Sequence, residues 1–66
     1  MKLIINGEGR EFAGSLSLQE LIQSLGLRRE ALVAEINLSV IQPERHGETL
    51  LAEGDRVELI QFVGGG

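Results

Sequence analysis

Three consecutive glycines, Gly64, Gly65 and Gly66, close the 66-residue chain directly after the strand-like run Arg56-Val57-Glu58-Leu59-Ile60-Gln61-Phe62-Val63. Residues without side chains have nothing to pack, and glycine loses more backbone freedom on ordering than any other residue. Residues 64–66 are therefore expected to form a mobile thread. One reading makes this thread a frayed end without a role. The other is chemical: a thread thin enough to enter a narrow channel with its α-carboxylate leading and its backbone amides open to be gripped. Gly66 is then the reacting residue, Gly64 and Gly65 the gripped ones, and the rest of the chain a handle. Fraying accounts for a loose end, but not for a glycine run that leaves straight from a long, well-patterned strand.

The remaining candidates for chemistry are poorer. The chain has no Cys, which excludes disulfides, zinc–thiolate sites and a cysteine nucleophile. A single histidine, His46, cannot build a histidine metal site or a triad, and its polar surroundings predict a solvated surface side chain. Glu53 and Asp55 flank Gly54, which is turn chemistry more than an acid–base pair, and so short a chain has little room for the cleft such a pair needs. Gly7-Glu8-Gly9 has no helix or Lys-Ser/Thr after it and is not a phosphate loop. Arg28-Arg29 is too small a basic cluster for nucleic acid, and the net charge of −4 opposes a phosphate partner. No apolar run is long enough for a membrane span and no signal segment is visible, so a cytoplasmic domain, monomeric when free, is expected.

What could position the thread is one small domain. A chain of this size buries only about 60% of the surface it exposes when unfolded, yet 42% of its residues are hydrophobic, enough for a core. That core must be aliphatic, because Phe12 and Phe62 are the only aromatic residues. Lys2-Leu3-Ile4-Ile5 reads as a strand, Asn6-Gly7 as a hairpin turn, and Arg10-Glu11-Phe12-Ala13 as the return strand. Parity puts Leu3, Ile5 and Phe12 inward and Ile4 with Glu11 outward. Ser17-Leu18-Gln19-Glu20 matches a capping box. Leu18, Leu21, Ile22 and Leu25 then recur as the apolar stripe of one short helix, and Gly26-Leu27 fits a Schellman stop. Leu32–Ile36 and Ser39–Ile41 read as strands around an Asn37-Leu38 turn, with a polar connector over Glu44–Glu48. Glu53-Gly54-Asp55 is a tight turn into the last strand. The order β-β-α-β-β-β predicts an α+β, β-grasp fold: a mixed sheet with one helix on one face. Residues 1–63 are its body and 64–66 its tail.

A helix can cover only one face of that sheet. If Val57 and Leu59 meet it, then Glu58, Ile60 and Phe62 lie on the open face, and Ile4 of the first strand is expected beside them. An apolar patch adjoining the thread reads as a docking surface, with Val63 joining patch to thread. Glu11, Glu35 and Glu58 share that face by parity and could steer a basic partner. Scattered exposed apolar residues are also ordinary, so the patch alone does not decide between the two.

Gly54-Asp55-Arg56-Val57-Glu58 followed by Phe62-Val63-Gly64-Gly65-Gly66 resembles the C-terminal signature of the ThiS sulfur carrier proteins, a ubiquitin-like β-grasp family. Ile4-Ile5-Asn6-Gly7, the Leu18-Leu21-Leu25 helix and Ala34-Glu35-Ile36-Asn37 fit as well, so the resemblance spans the whole chain. Many members carry two closing glycines, not three; the third leaves the reactive carboxylate on the last residue. The resemblance implies a carrier, not an enzyme. A ThiF-type adenylating enzyme would use ATP and Mg²⁺ to convert the Gly66 carboxylate to an acyl-adenylate, the carrier itself binding no cofactor or metal. A persulfide from a cysteine desulfurase would displace AMP to leave a C-terminal thiocarboxylate. Thiazole synthase would take that sulfur into the thiazole ring of thiamine. The Gly-Gly end is shared with the molybdopterin synthase small subunits. A carrier for molybdopterin or tRNA thiolation, a ubiquitin-like modifier of lysines, and a plain interaction domain therefore stay open.

Overall fold

Asn6 and Gly7 both adopt left-handed backbone, with φ of 49° and 85°. That geometry matches the twist of two antiparallel strands joined by two residues. In the computed structural model of the chain, which describes residues 1–62, this turn joins β1 (Lys2–Ile5) to β2 (Glu8–Glu11). Leu3 pairs with Arg10 and Ile5 with Glu8. Leu3 and Ile5 are buried. The Phe12 amide donates to the Met1 carbonyl at 2.8 Å, and Phe12 packs half-buried against the core. The inward and outward sets read from sequence are those observed.

Helix α1 (Leu18–Ser24) starts at the expected capping box. The Glu20 amide donates to Ser17 Oγ at 3.0 Å and the Ser17 amide to Glu20 Oε1 at 2.8 Å. Its end is a Schellman motif: Gly26 at φ 72° donates to the Gln23 carbonyl and Leu27 to that of Ile22. Leu18, Leu21 and Ile22 are buried, and Leu25 and Leu27 pack at the edge of the core. So short a helix is not stable alone in water, and this apolar stripe holds it on the sheet.

The other strands are β3 (Leu32–Ile36), β4 (Ser39–Ile41) and β5 (Arg56–Gln61), and the sheet runs β2-β1-β5-β3-β4. β1 and β5 are parallel; the other pairs are antiparallel. The connection through α1 therefore carries the chain from one side of the sheet to the other. A mixed sheet holding one main helix against one face is the β-grasp arrangement.

Strand ends shift, with β2 at Glu8–Glu11 where Arg10–Ala13 is expected and β5 stopping at Gln61, and two larger features depart from the sequence reading. Pro43–Glu48 coils as a 3-10 helix and carries His46 inward, to 1% exposure. The expected surface histidine is a buried one, its Nε2 3.0 Å from the Ile41 carbonyl and its Nδ1 without a partner. One inward position among polar neighbours leaves no apolar period to detect. The second departure is a bridge between the helix entry and residues 49–51. The Leu18 amide donates to the Thr49 carbonyl and the Leu51 amide to that of Leu16. This turns Leu51 into the core and leaves Leu50 exposed.

Candidate functional site

The site starts from β5, because it delivers the chain to residues 63–66. Alternate β5 residues face opposite ways. Val57 and Leu59 are 0% and 4% exposed; Ile60 and Phe62 are 51% and 57% exposed. The open face thus carries the residues that parity assigned to it. Val33 pairs directly with Ile60 on this face, and Val40, itself exposed, pairs with Glu35 one strand out. Beside Phe62 the surface dips into a depression of about 270 Å³, walled by Val33, Val40 and Pro43 and rimmed by Arg29 and Glu30. The apolar patch therefore spreads from the end of β5 toward β3 and β4.

Ile4 is not part of it. The parallel register sets Ile4 beside Arg56, so Ile60 lies four positions further along β5, roughly 13 Å at the usual strand rise. Parity placed Ile4 on the correct face; only the register of a non-local parallel pair could place it along the strand.

The acidic residues also separate. Glu35 and Glu58 are direct cross-strand partners, whereas Glu11 pairs with Lys2 at the far side of the sheet. Like charges face to face across a ladder are mildly destabilising. The ion pairs among the described residues, Arg28–Glu30 and Arg45–Glu48, are exposed and involve neither Glu35 nor Glu58. Asp55 serves the turn, whereas Glu53 reaches across to the start of β1. Glu53 Oε1 accepts from the Lys2 amide at 3.1 Å, and Asp55 Oδ2 accepts from the Ala52 amide at 2.8 Å.

Phe62, Ile60, Glu58 and Ile4 are placed by these observations. Val63, Gly64, Gly65 and Gly66 lie outside the described residues. No group of histidine and acidic side chains among the described residues could hold a metal ion, and no described helix is long and apolar enough to cross a membrane.

Two asparagines that the sequence marks only as turn residues also brace β5. Asn6 Nδ2 donates to the Leu59 carbonyl at 3.3 Å, and its Oδ1 accepts from the Leu59 amide at 2.8 Å. Asn37 Oδ1 accepts from the Arg56 amide at 3.0 Å, and its Nδ2 donates to Asp55 Oδ1 at 3.0 Å. Both stand first in a two-residue turn at positive φ. Turn preference made them legible as turn residues; their reach to β5 needed the fold.

A β-grasp body with an apolar, acidic open face, followed in sequence by a glycine tail, fits the class of small carrier or modifier domains. Comparison with known proteins narrows this. The ThiS family profile matches residues 3–66. The sulfur carrier protein ThiS of Bacillus subtilis (strain 168) is 36% identical over 50 residues, 76% of each chain. The crystal structure of the thiamine biosynthesis protein (ThiS) from Geobacter metallireducens superposes with a TM-score of 0.85 at 35% identity, over all of both chains. A thiazole synthase of Paramagnetospirillum magneticum is 35% identical over 66 residues, all of this chain but 20% of that one. The chain thus spans about a fifth of the length of the thiazole synthases it matches. It belongs to the ThiS family.

Proposed function

We propose that this chain is a sulfur carrier in thiamine biosynthesis and that Gly66 bears the sulfur as a C-terminal thiocarboxylate. The observation that carries this reading is the match of the ThiS family profile through Gly66 itself, on a domain whose last strand ends at Gln61, with only Phe62 and Val63 between it and the three glycines in sequence. A partner of the ThiF type activates the carboxylate. One carboxylate oxygen attacks the α-phosphorus of ATP, pyrophosphate leaves with Mg²⁺, and an acyl-adenylate results. Persulfide sulfur then attacks the acyl carbon and AMP leaves. Cleavage of the resulting S–S bond by a thiol frees the thiocarboxylate. ATP and Mg²⁺ are the partner's substrates, and the persulfide comes from a cysteine desulfurase.

The acceptor in this reading is thiazole synthase. Two relatives named thiazole synthase contain a segment matching the whole of this chain; carrier and acceptor joined in one polypeptide elsewhere supports their meeting as partners here. The exposed Ile60 and Phe62, with Glu58 beside them, give those enzymes a surface to recognise while Gly64 and Gly65 thread the channel. An uncovered apolar patch of this kind is a common mark of a protein-binding surface.

Intact mass tests the reading. Incubation with a cognate adenylating enzyme, ATP–Mg²⁺ and a sulfur donor should replace one oxygen by sulfur at Gly66. An unchanged mass with every such enzyme overturns it. Deleting Gly65 and Gly66 should abolish the modification and leave the melting temperature in place.

A further inference from the structure

Strand β5 outruns its neighbour. β1 pairs with it at Ile4–Arg56 and Ile5–Val57, and the Asn6 amide still reaches the Val57 carbonyl at 2.9 Å. There the chain turns away at Asn6-Gly7, while β5 continues to Gln61. The Asn6 side chain takes over at that point. Its amide gives the Leu59 backbone one donor and one acceptor, as another residue of β1 would. On the other side the Phe62 amide donates to the Ala31 carbonyl at 2.9 Å.

The turn does not by itself call for asparagine. Aspartate or glycine also suits the first position of such a turn. Only the asparagine side chain combines a short reach, tolerance of left-handed backbone, and both a donor and an acceptor. Aspartate would accept from the Leu59 amide but repel the Leu59 carbonyl. The residue type fits the brace on Leu59 better than it fits the turn alone.

We propose that Asn6 is a positioning residue for the chemistry at Gly66, acting through Leu59; the proposal rests on the carrier reading above. Leu59 lies where β5 passes the end of β1, and the chain from there runs on to Gly66. β3 holds β5 along one edge through Gln61, and Asn6 braces the other edge at Leu59, past the end of β1. With both edges held, Ile60 and Phe62 keep their places on the open face before a partner binds, and ordering them then costs less. Asn37 supplies a matched control: the same residue type, the same turn position and the same strand, but fastened to Asp55 and Arg56 at the end far from the glycines.

The experiment compares Asn6→Gly with Asn37→Gly. Each keeps the left-handed turn and removes one amide brace. Hydrogen exchange at the Leu59 amide and the melting temperature report on the fold. Steady-state thiocarboxylate formation, followed by intact mass over a range of carrier concentrations, reports on the tail. Asn6→Gly should speed exchange at Leu59 and lower kcat/KM about tenfold to a hundredfold, the range expected for misplaced reacting groups, mainly through KM. Asn37→Gly should lower the melting temperature by a similar amount and leave kcat/KM at the wild-type value. Asn6→Asp, which keeps the acceptor for the Leu59 amide, should recover part of the loss, and it carries the comparison if Asn6→Gly fails to fold. Equal losses in Asn6→Gly and Asn37→Gly, or no loss in Asn6→Gly, overturn the proposal alone. A wild-type chain that is never converted overturns the carrier reading and the proposal with it.

Discussion

Two faces of one sheet are put to different uses, and β5 shows both within six residues. On the helix side Val57 and Leu59 join Leu3, Ile5, Leu18, Leu21 and Ala34 in the core. On the open side Ile60, Phe62 and Val40 stay more than half exposed beside an unrelieved pair of glutamates. The first face is chosen for stability. The second gives up some stability: apolar area left in water forgoes burial, and Glu35 facing Glu58 adds repulsion. The docking role proposed above would put that uncovered area to use.

Substitutions can sharpen or break this contrast. The largest effect belongs to the core face. Leu59→Ala should cost about 2–5 kcal/mol, transfer and cavity terms together, measured by denaturant unfolding. Ile60→Ala, one residue along, should cost far less; equal losses would mean that the two faces are not distinct. Next comes Leu38, held at φ 75° and 88% exposed at the tip of the β3–β4 turn. A bulky residue is strained there, so Leu38→Gly should raise stability by about 1 kcal/mol, read as a higher denaturation midpoint with unchanged slope. Smaller still, Glu58→Gln relieves a partly exposed like-charge pair. It should stabilise the free domain by about a few tenths of a kcal/mol, and less at high salt. Phe62→Asp should likewise leave stability within about 0.5 kcal/mol, as for most surface substitutions, although it should clearly weaken thiocarboxylate formation. If Phe62→Asp unfolds the domain instead, the open face is structural and the contrast fails.

What could be read ahead of the structure follows the range of the interactions. The Ser17–Glu20 cap, the Gly26-Leu27 stop and both asparagine turns depend on neighbours within a few residues, and each was legible. The facing of Val57 against Ile60 followed from parity plus the knowledge that one helix covers one face. Register across the sheet did not follow, because a parallel pair between β1 and β5 has no connecting turn to set it. Ile4 was consequently placed on the right face and beside the wrong residues. His46 was missed for a related reason: a 3-10 coil of polar residues hides one inward side chain without any periodic apolar signal. The hydrogen bonds from Asn6 to Leu59 join residues at opposite ends of the described chain, and no local pattern announces them.

The central pairing of β1 with β5 also sets an order of events. β1 lies near the start of the chain and β5 near the end of its described part, so the middle of the sheet stays open until the final strand arrives. β2 and α1 can form early, and the β3–β4 hairpin can close locally, but each then waits with its apolar side unfinished. Pairings so distant in sequence are slow, because loop closure must be met before any contact rewards it. A growing chain on the ribosome therefore completes its fold only when residues 56–61 have emerged. The strand whose arrival closes the sheet is thus also the one that precedes the glycines in sequence.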